Sequence, residues 1–280
     1  MKIYLVGGGE LDTVMRIFLA GINPYIENKA FMKTFLAGSE QRANRMLQIA
    51  RDCYNGANVL QSFFYVNEVT EKFVLPESAD FMLDSGAFTF MSKTSRVPDW
   101  EEYTERFADW VISHNITKFF EMDIDALVGY DYVLKLRDKL EKRVGRQCIP
   151  VWHLSRGYYE FIKICESHPY VAIGGIVTRE IPPEKYCLFP KLISEAHKRG
   201  TKIHGLGFTR LTQLHKYHFD SVDSTAWVAG CKYGQIYQFT GEKLIKEKVP
   251  AGYRLRDSNT VAVHNFNEWK KYCEWAETHL

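Results

Sequence analysis

Eight short runs rich in β-branched and aromatic residues recur along the chain, separated by longer amphipathic stretches, and this rhythm limits the fold more than any other feature. The runs are "KIYLVG" (2–7), "NVLQSFFYV" (58–66), "DFMLDSGAF" (80–88), "KFFEMDIDAL" (118–127), "CIPVWHL" (148–154), "YVAIGGI" (170–176), "KIHGLGF" (202–208) and "FDSVDSTAW" (219–227). Between them the spacing predicts helices over 39–54, 99–115, 130–144 and 182–200. In 99–115 the apolar residues Trp100, Tyr103, Phe107, Trp110 and Val111 recur at helical spacing, opposite Glu101, Glu102, Glu105 and Arg106. Strand and helix alternating in this way predict an α/β fold, a (β/α)8 TIM-type barrel; an open doubly wound sheet is the second choice. The runs are apolar almost throughout, as parallel strands covered on both faces require.

A chain of 280 residues, 46% hydrophobic and 14% aromatic, can build a substantial core. One domain over 1–280 is expected, with its core at about 1–227. The remainder, 228–280, reads as a C-terminal extension: a hairpin-like "GQIYQFTGEKLIKEK", then a helix ending "NEWKKYCEWAETHL". Formal net charge is +2, so no global positive field advertises a nucleic acid, and such binding would need local patches. The six cysteines are scattered without a C-x-x-C pair, which argues against a zinc ribbon or a redox motif. No signal peptide and no membrane span is evident, so the expected setting is a reducing cytoplasm with thiols.

In a barrel the working residues stand at the carboxyl ends of the strands. Those ends carry Asp84; Asp123 and Asp125; His153; Gly174 and Gly175; Gly205 and Gly207; and Asp220 with Asp223. An ionised carboxylate at a buried strand end is costly unless it is paired or used. Asp84 either caps the following segment or faces the open space left by Gly86 and Ala87. Asp123 and Asp125 point to opposite faces if the strand continues, so only one enters the mouth. Asp223 lies deeper in its run than Asp220, which reads as a turn or pairing residue. His153 is a core histidine, a metal ligand or a ligand contact. Gly174 and Gly175 either make a turn or let a planar ligand lie against bare backbone. "GGGE" (7–10) lacks G-x-G-x-x-G spacing and reads as a tight turn rather than a nucleotide site. Three carboxylates, a histidine and backbone amides suit a flat polar heterocycle, because a carboxylate can accept from a guanine edge while amides take its carbonyl. Two further carboxylates could then serve as nucleophile and acid/base at a glycosidic carbon.

In order, "DSGAF" (84–88), "MDID" (122–125), "AIGG" (172–175), "GLG" (205–207) and "SVDST" (221–225) resemble motifs of the tRNA-guanine transglycosylases, over roughly residues 60–240. The resemblance implies Asp223 as nucleophile and Asp84 as general acid/base. It implies that Ser85, Asp123, His153, Gly174 and Gly175 bind the base. The family's zinc site is missing, and "WVAG" (227–230) stands where the family holds the anticodon. The chain is thus most similar to the phage branch that inserts 7-deazaguanines into DNA through a covalent glycosyl-aspartate, without metal or cofactor. Partners implied are DNA with a flipped-out or single-stranded guanine, and a 7-deazaguanine base. The alternatives are a tRNA enzyme and a non-catalytic nucleic-acid-binding barrel. Phe88, Phe90, Trp152 and Phe208 are expected to sandwich the base. Lys93, Arg96, Arg156, Arg179, Arg210, Lys243, Lys246, Lys248, Arg254 and Arg256 are the candidate phosphate contacts.

Overall fold

A computed structural model describes residues 32–39, 53–90, 98–208, 210–228, 233–248 and 258–280. The predicted run 2–7, the "GGGE" turn, most of the predicted helix 39–54, and Lys93, Arg96, Arg254 and Arg256 lie outside the described residues.

The fold is α/β, built on a curled sheet of seven parallel strands. These are β1 (Lys33–Ala37), β2 (Asn58–Ser62), β3 (Asp80–Asp84), β4 (Val151–Trp152), β5 (Tyr170–Ile173), β6 (Lys202–Gly205) and β7 (Ser221–Ser224). They lie in the order β3-β2-β1-β7-β6-β5-β4. Two backbone bridges, Leu83 with Phe119 and Phe120 with Ile149, link β3 to β4 through the Phe119–Phe120 pair. The predicted strand 118–127 is thereby reduced to two bridging residues, because the chain turns at Met122 and residues 125–128 are helical. Among the described residues there are seven strands and a bridging pair, and the predicted strand 2–7 is not among them. β1 comes from "KTFLA", a segment not singled out in the sequence, and it is central: it pairs with β2 on one side and β7 on the other.

Side chains on one face of the strands fill the concave interior. Phe35, Ala37, Leu60, Met82, Phe120, Ile149, Val151 and Ala172 form this inner cluster. Because side chains alternate along a strand, residues two positions beyond these also face inward. Asp84 follows Met82, His153 follows Val151, and Gly174 follows Ala172 by that step. The opposite faces are covered by helices, as a parallel sheet requires.

Helix α1 (Trp100–Ser113) is started by Asp99, whose carboxylate accepts from the N–H groups of Glu101 (2.9 Å) and Glu102 (3.2 Å). Its stripe of Trp100, Tyr103, Phe107 and Val111 packs with Val133, Leu136 and Leu140 of α2 (Tyr130–Val144), the predicted span. Gly145 ends α2 in the left-handed region at φ 71°, the usual glycine stop. α3 (Gly157–Ser167), which the sequence reading left unassigned, and α4 (Phe189–His197) cover β4 to β6. The tail forms the expected hairpin, β8 (Gln235–Phe239) against β9 (Leu244–Lys248), followed by α5 (Ser258–His279). Buried Asn265 ties these together: it accepts from the Tyr237 N–H (2.9 Å) and donates to the carbonyls of Gln235 (3.0 Å) and Trp227 (3.3 Å). Among the described residues no helix is long and apolar enough to cross a membrane.

Candidate active site

Asp84, Asp123 and Asp223 approach closely enough at the carboxyl ends of the strands that Asp84 feels the charge of both others. Asp84 ends β3, where Gly86 turns the chain at φ 80° and donates its N–H to Asp84 Oδ2 (2.9 Å). A side chain on Gly86 would meet Phe64 Cβ at 2.8 Å and the Phe64 backbone nitrogen at 3.0 Å, so glycine is required twice over. Burial raises the Asp84 carboxyl most. The Gly86 N–H opposes this, and the charges of Asp123 and Asp223 add to it, leaving it at about 7 against an ordinary 3.8. Next to it, Ser85 is buried with its hydroxyl unpartnered among the described residues, while its carbonyl accepts from Tyr103 Oη (2.7 Å).

The sign of the Asp84 shift gives a stability prediction. The protonated carboxyl contributes fully below pH 3.8, and that contribution is lost as pH rises through about 7. Asp84→Asn is therefore expected to raise the melting temperature at pH 8, by about 2–4 °C for each kcal/mol recovered. The gain should be smaller at pH 5. Scanning calorimetry at both pH values checks it, and a lower melting temperature at pH 8 contradicts the shift.

His153 is held between two carboxylates. Its Nε2 lies 2.7 Å from Asp123 Oδ1 and its Nδ1 2.9 Å from Glu180 Oε2; Glu180 also accepts from the Ser155 N–H (2.8 Å). Burial works against its charge, but the bonds to Asp123 and Glu180 outweigh burial and push it to about 10. Burial likewise opposes Glu180's charge, but the bond to His153, helped by the Ser155 N–H, carries that carboxyl down to about 2. His153 is thus an imidazolium at neutral pH, with both ring nitrogens committed to protein carboxylates. The two glycines make room for this cluster. A Cβ on Gly174 would meet the His153 ring at 2.8 Å, and one on Gly175, at φ 77°, would meet Glu180 Oε2 at 2.8 Å. Gly174 donates its N–H to the Trp152 carbonyl (2.9 Å). The space read in the sequence as a platform for a planar ligand holds His153 and Glu180.

Because the strand stops short of them, Asp123 and Asp125 stay close together but take different partners: Asp123 meets His153, while both oxygens of Asp125 accept from Arg156 (2.6 and 2.7 Å). Arg156 also reaches buried Glu121 (3.0 Å), which accepts from Arg137 (2.6 Å) and the Val151 N–H (2.8 Å). Asp123, Asp125 and His153 offer ligand atoms within 4.8 Å of one another and could hold a cation. Their atoms are already engaged by Arg156 and Glu180, so a cation would have to displace a guanidinium. Asp223 Oδ1 accepts from the Gly207 N–H and lies 3.2 Å from His204 Nε2. Asp220 sits at the other end of β7, paired to His197 (2.8 Å) and accepting from the Ile203 N–H (2.7 Å).

Glu180, His204 and the structural use of Arg156 escaped the sequence reading. Of these only His204 leaves a signal there, a polar residue inside the apolar run "KIHGL". Three of the four aromatics expected to sandwich a base belong elsewhere. Trp152 (0% exposed) and Phe208 (1%) lie in the core beneath α3 and α4, and Phe90 (8%) in that beneath α1. Arg156 is spent on Asp125 and Glu121, so the expected cationic lining of the mouth loses one of its members.

No family model matches the chain, and no curated protein matches it. A solved structure named "Native KDPGal structure" is 10% identical, with a TM-score of 0.43, covering 91% of this chain and 99% of its own. The transglycosylase resemblance is corrected on these findings: no transglycosylase model and no curated transglycosylase matches, and the solved structure reported carries a different name. Its motifs are fragments of three to five residues at strand ends, where any such sheet collects glycines and carboxylates. The exchange of guanine for 7-deazaguanine in DNA and the tRNA alternative rested on that resemblance and are withdrawn with it; the non-catalytic nucleic-acid-binding barrel, weighed separately, is not carried further.

Proposed function

We propose that the chain is an enzyme that hydrolyses glycosidic bonds in small, uncharged substrates at the carboxyl ends of its parallel strands. The observation that carries this reading is Asp84, a carboxyl kept near neutrality by burial and by the neighbouring charges of Asp123 and Asp223. A carboxyl that holds its proton near neutral pH beside a second carboxyl group is suited to act as the acid of an acid and nucleophile pair. Asp84 gives its proton to the leaving atom as the bond to the anomeric carbon breaks, and the bonding pair goes with the leaving group. The Asp223 carboxylate faces the positive charge left on that carbon. Water then adds there and returns a proton to Asp84. Among the described residues in the ion pairs beside Asp84 and Asp223, the acids Asp123, Asp125, Glu121 and Glu180 outnumber the cations His153, Arg137 and Arg156. That surplus of negative charge favours a cationic transition state and repels phosphate or carboxylate substrates. The inner cluster fills the interior below, which confines the substrate to the mouth.

The test is a panel of neutral chromogenic glycosides, assayed for release between pH 5 and 9. Release from at least one is expected, with a rate that falls as pH rises through about 7, because the acid must carry its proton. No release from any member, or a rate that climbs through pH 7, sinks the reading.

A further inference from the structure

Asp223 stands at the end of a buried line of hydrogen bonds that the proposed reaction leaves unexplained. His204 is fully buried, with the rings of Phe35 and Phe120 edge-on at 6.3 and 5.4 Å. Its Nε2 is 3.2 Å from Asp223 Oδ1, its Nδ1 is 2.5 Å from Ser221 Oγ, and Ser221 Oγ meets the Tyr170 hydroxyl. The strand register builds this line: His204 sits opposite Ser221 on β7 and Ala172 on β5, and Tyr170 precedes Ala172 by one inward step.

Donor accounting gives the line a direction. A carboxylate only accepts, so Nε2 carries the proton towards Asp223. Nδ1 of a neutral ring then accepts from Ser221, and Ser221 accepts from Tyr170. Burial pushes the Tyr170 phenol well above its ordinary value despite the Ser221 bond, so the line begins at a permanent O–H. Asp223 Oδ1 therefore faces two donors, Gly207 N–H and His204, while Oδ2 has no partner among the described residues.

The geometry points to His204 as a positioning residue for Asp223, locked as its Nε2–H tautomer by Ser221 and Tyr170 so that Oδ2 is the oxygen presented to substrate. Its catalytic half rests on the glycosidic reading; the tautomer lock does not. Tautomer exchange would turn a lone pair towards Asp223 and a ring flip would turn a C–H towards it, and either would let the carboxylate rotate. Residues in this role fix orientation without touching the reacting atoms.

Long-range proton–nitrogen spectra of the protein labelled with ¹⁵N-histidine test the lock directly. His204 is expected as a single neutral Nε2–H ring in the wild type, and as a tautomer mixture in Ser221→Ala and in Tyr170→Phe. An imidazolium or an Nδ1–H ring in the wild type overturns the proposal. With a responsive glycoside, Ser221→Ala should lower kcat about tenfold with KM within about twofold, the signature of lost orientation rather than lost binding. An unchanged kcat in that variant also overturns it. A lock seen in a protein that cleaves no glycoside supports the lock and sinks only the functional reading.

Discussion

Asp223→Asn is expected to lower the rate of glycosidic cleavage by about 10³-fold or more while leaving the fold intact. The amide is nearly isosteric, so packing gives no reason for unfolding. Its effect follows from the two donors on one oxygen. Gly207 N–H and His204 Nε2 both address Oδ1, and only the amide oxygen can face them. The NH₂ group must then turn to the mouth, placing donors where positive charge develops. Paired measurements of kcat and of the urea midpoint check this; a loss below tenfold with an unchanged midpoint removes Asp223 from the reaction. Asp220→Asn is the useful contrast, because that carboxylate is committed to His197 and the Ile203 N–H at the far end of β7.

Glu121→Ala is expected to destabilise the protein by about 3–5 kcal/mol, the range for stranding a buried charge. Glu121 is fully buried and accepts from Arg137, Arg156 and the Val151 N–H. Arg137 is itself buried, and in the variant its guanidinium keeps only the Tyr130 hydroxyl, at 3.4 Å. Arg156 retains Asp125. Glu121→Gln should cost less, since the carbonyl oxygen still accepts. Equilibrium urea unfolding measures both; a loss under about 1 kcal/mol for the alanine variant shows the guanidiniums find water instead.

Period and polarity made three of the described helices and most of the described strands legible in advance. α2 was readable to the residue because its apolar stripe stops at a glycine, and α1 because Asp99 caps it. The 118–127 run misled because its apolar content is shared between an inner cluster (Phe120) and an outer one (Met122, Ile124), which gives no pure strand alternation. β1 was missed because "KTFLA" is short and lies beside a longer apolar run. At the site the acids were readable as costly residues at strand ends. Their partners were not, since nothing in "VTREI" says that Glu180 folds back onto His153 twenty-seven residues earlier. Short strand-end motifs carried too little information to fix a family, because the same glycine and carboxylate positions serve internal ion pairs equally well.

The bridges at Phe119 and Phe120 have a bearing on solubility. β3 and β4 would otherwise each present a row of open backbone groups, a template onto which a strand of another molecule can add. Leu83 N–H and Glu121 N–H donate across this narrow join to the carbonyls of Lys118 and Ile149. A substitution that loosens two phenylalanines therefore frees two sheet margins at once, and its first symptom is self-association of the chain at concentrations where the parent stays dispersed.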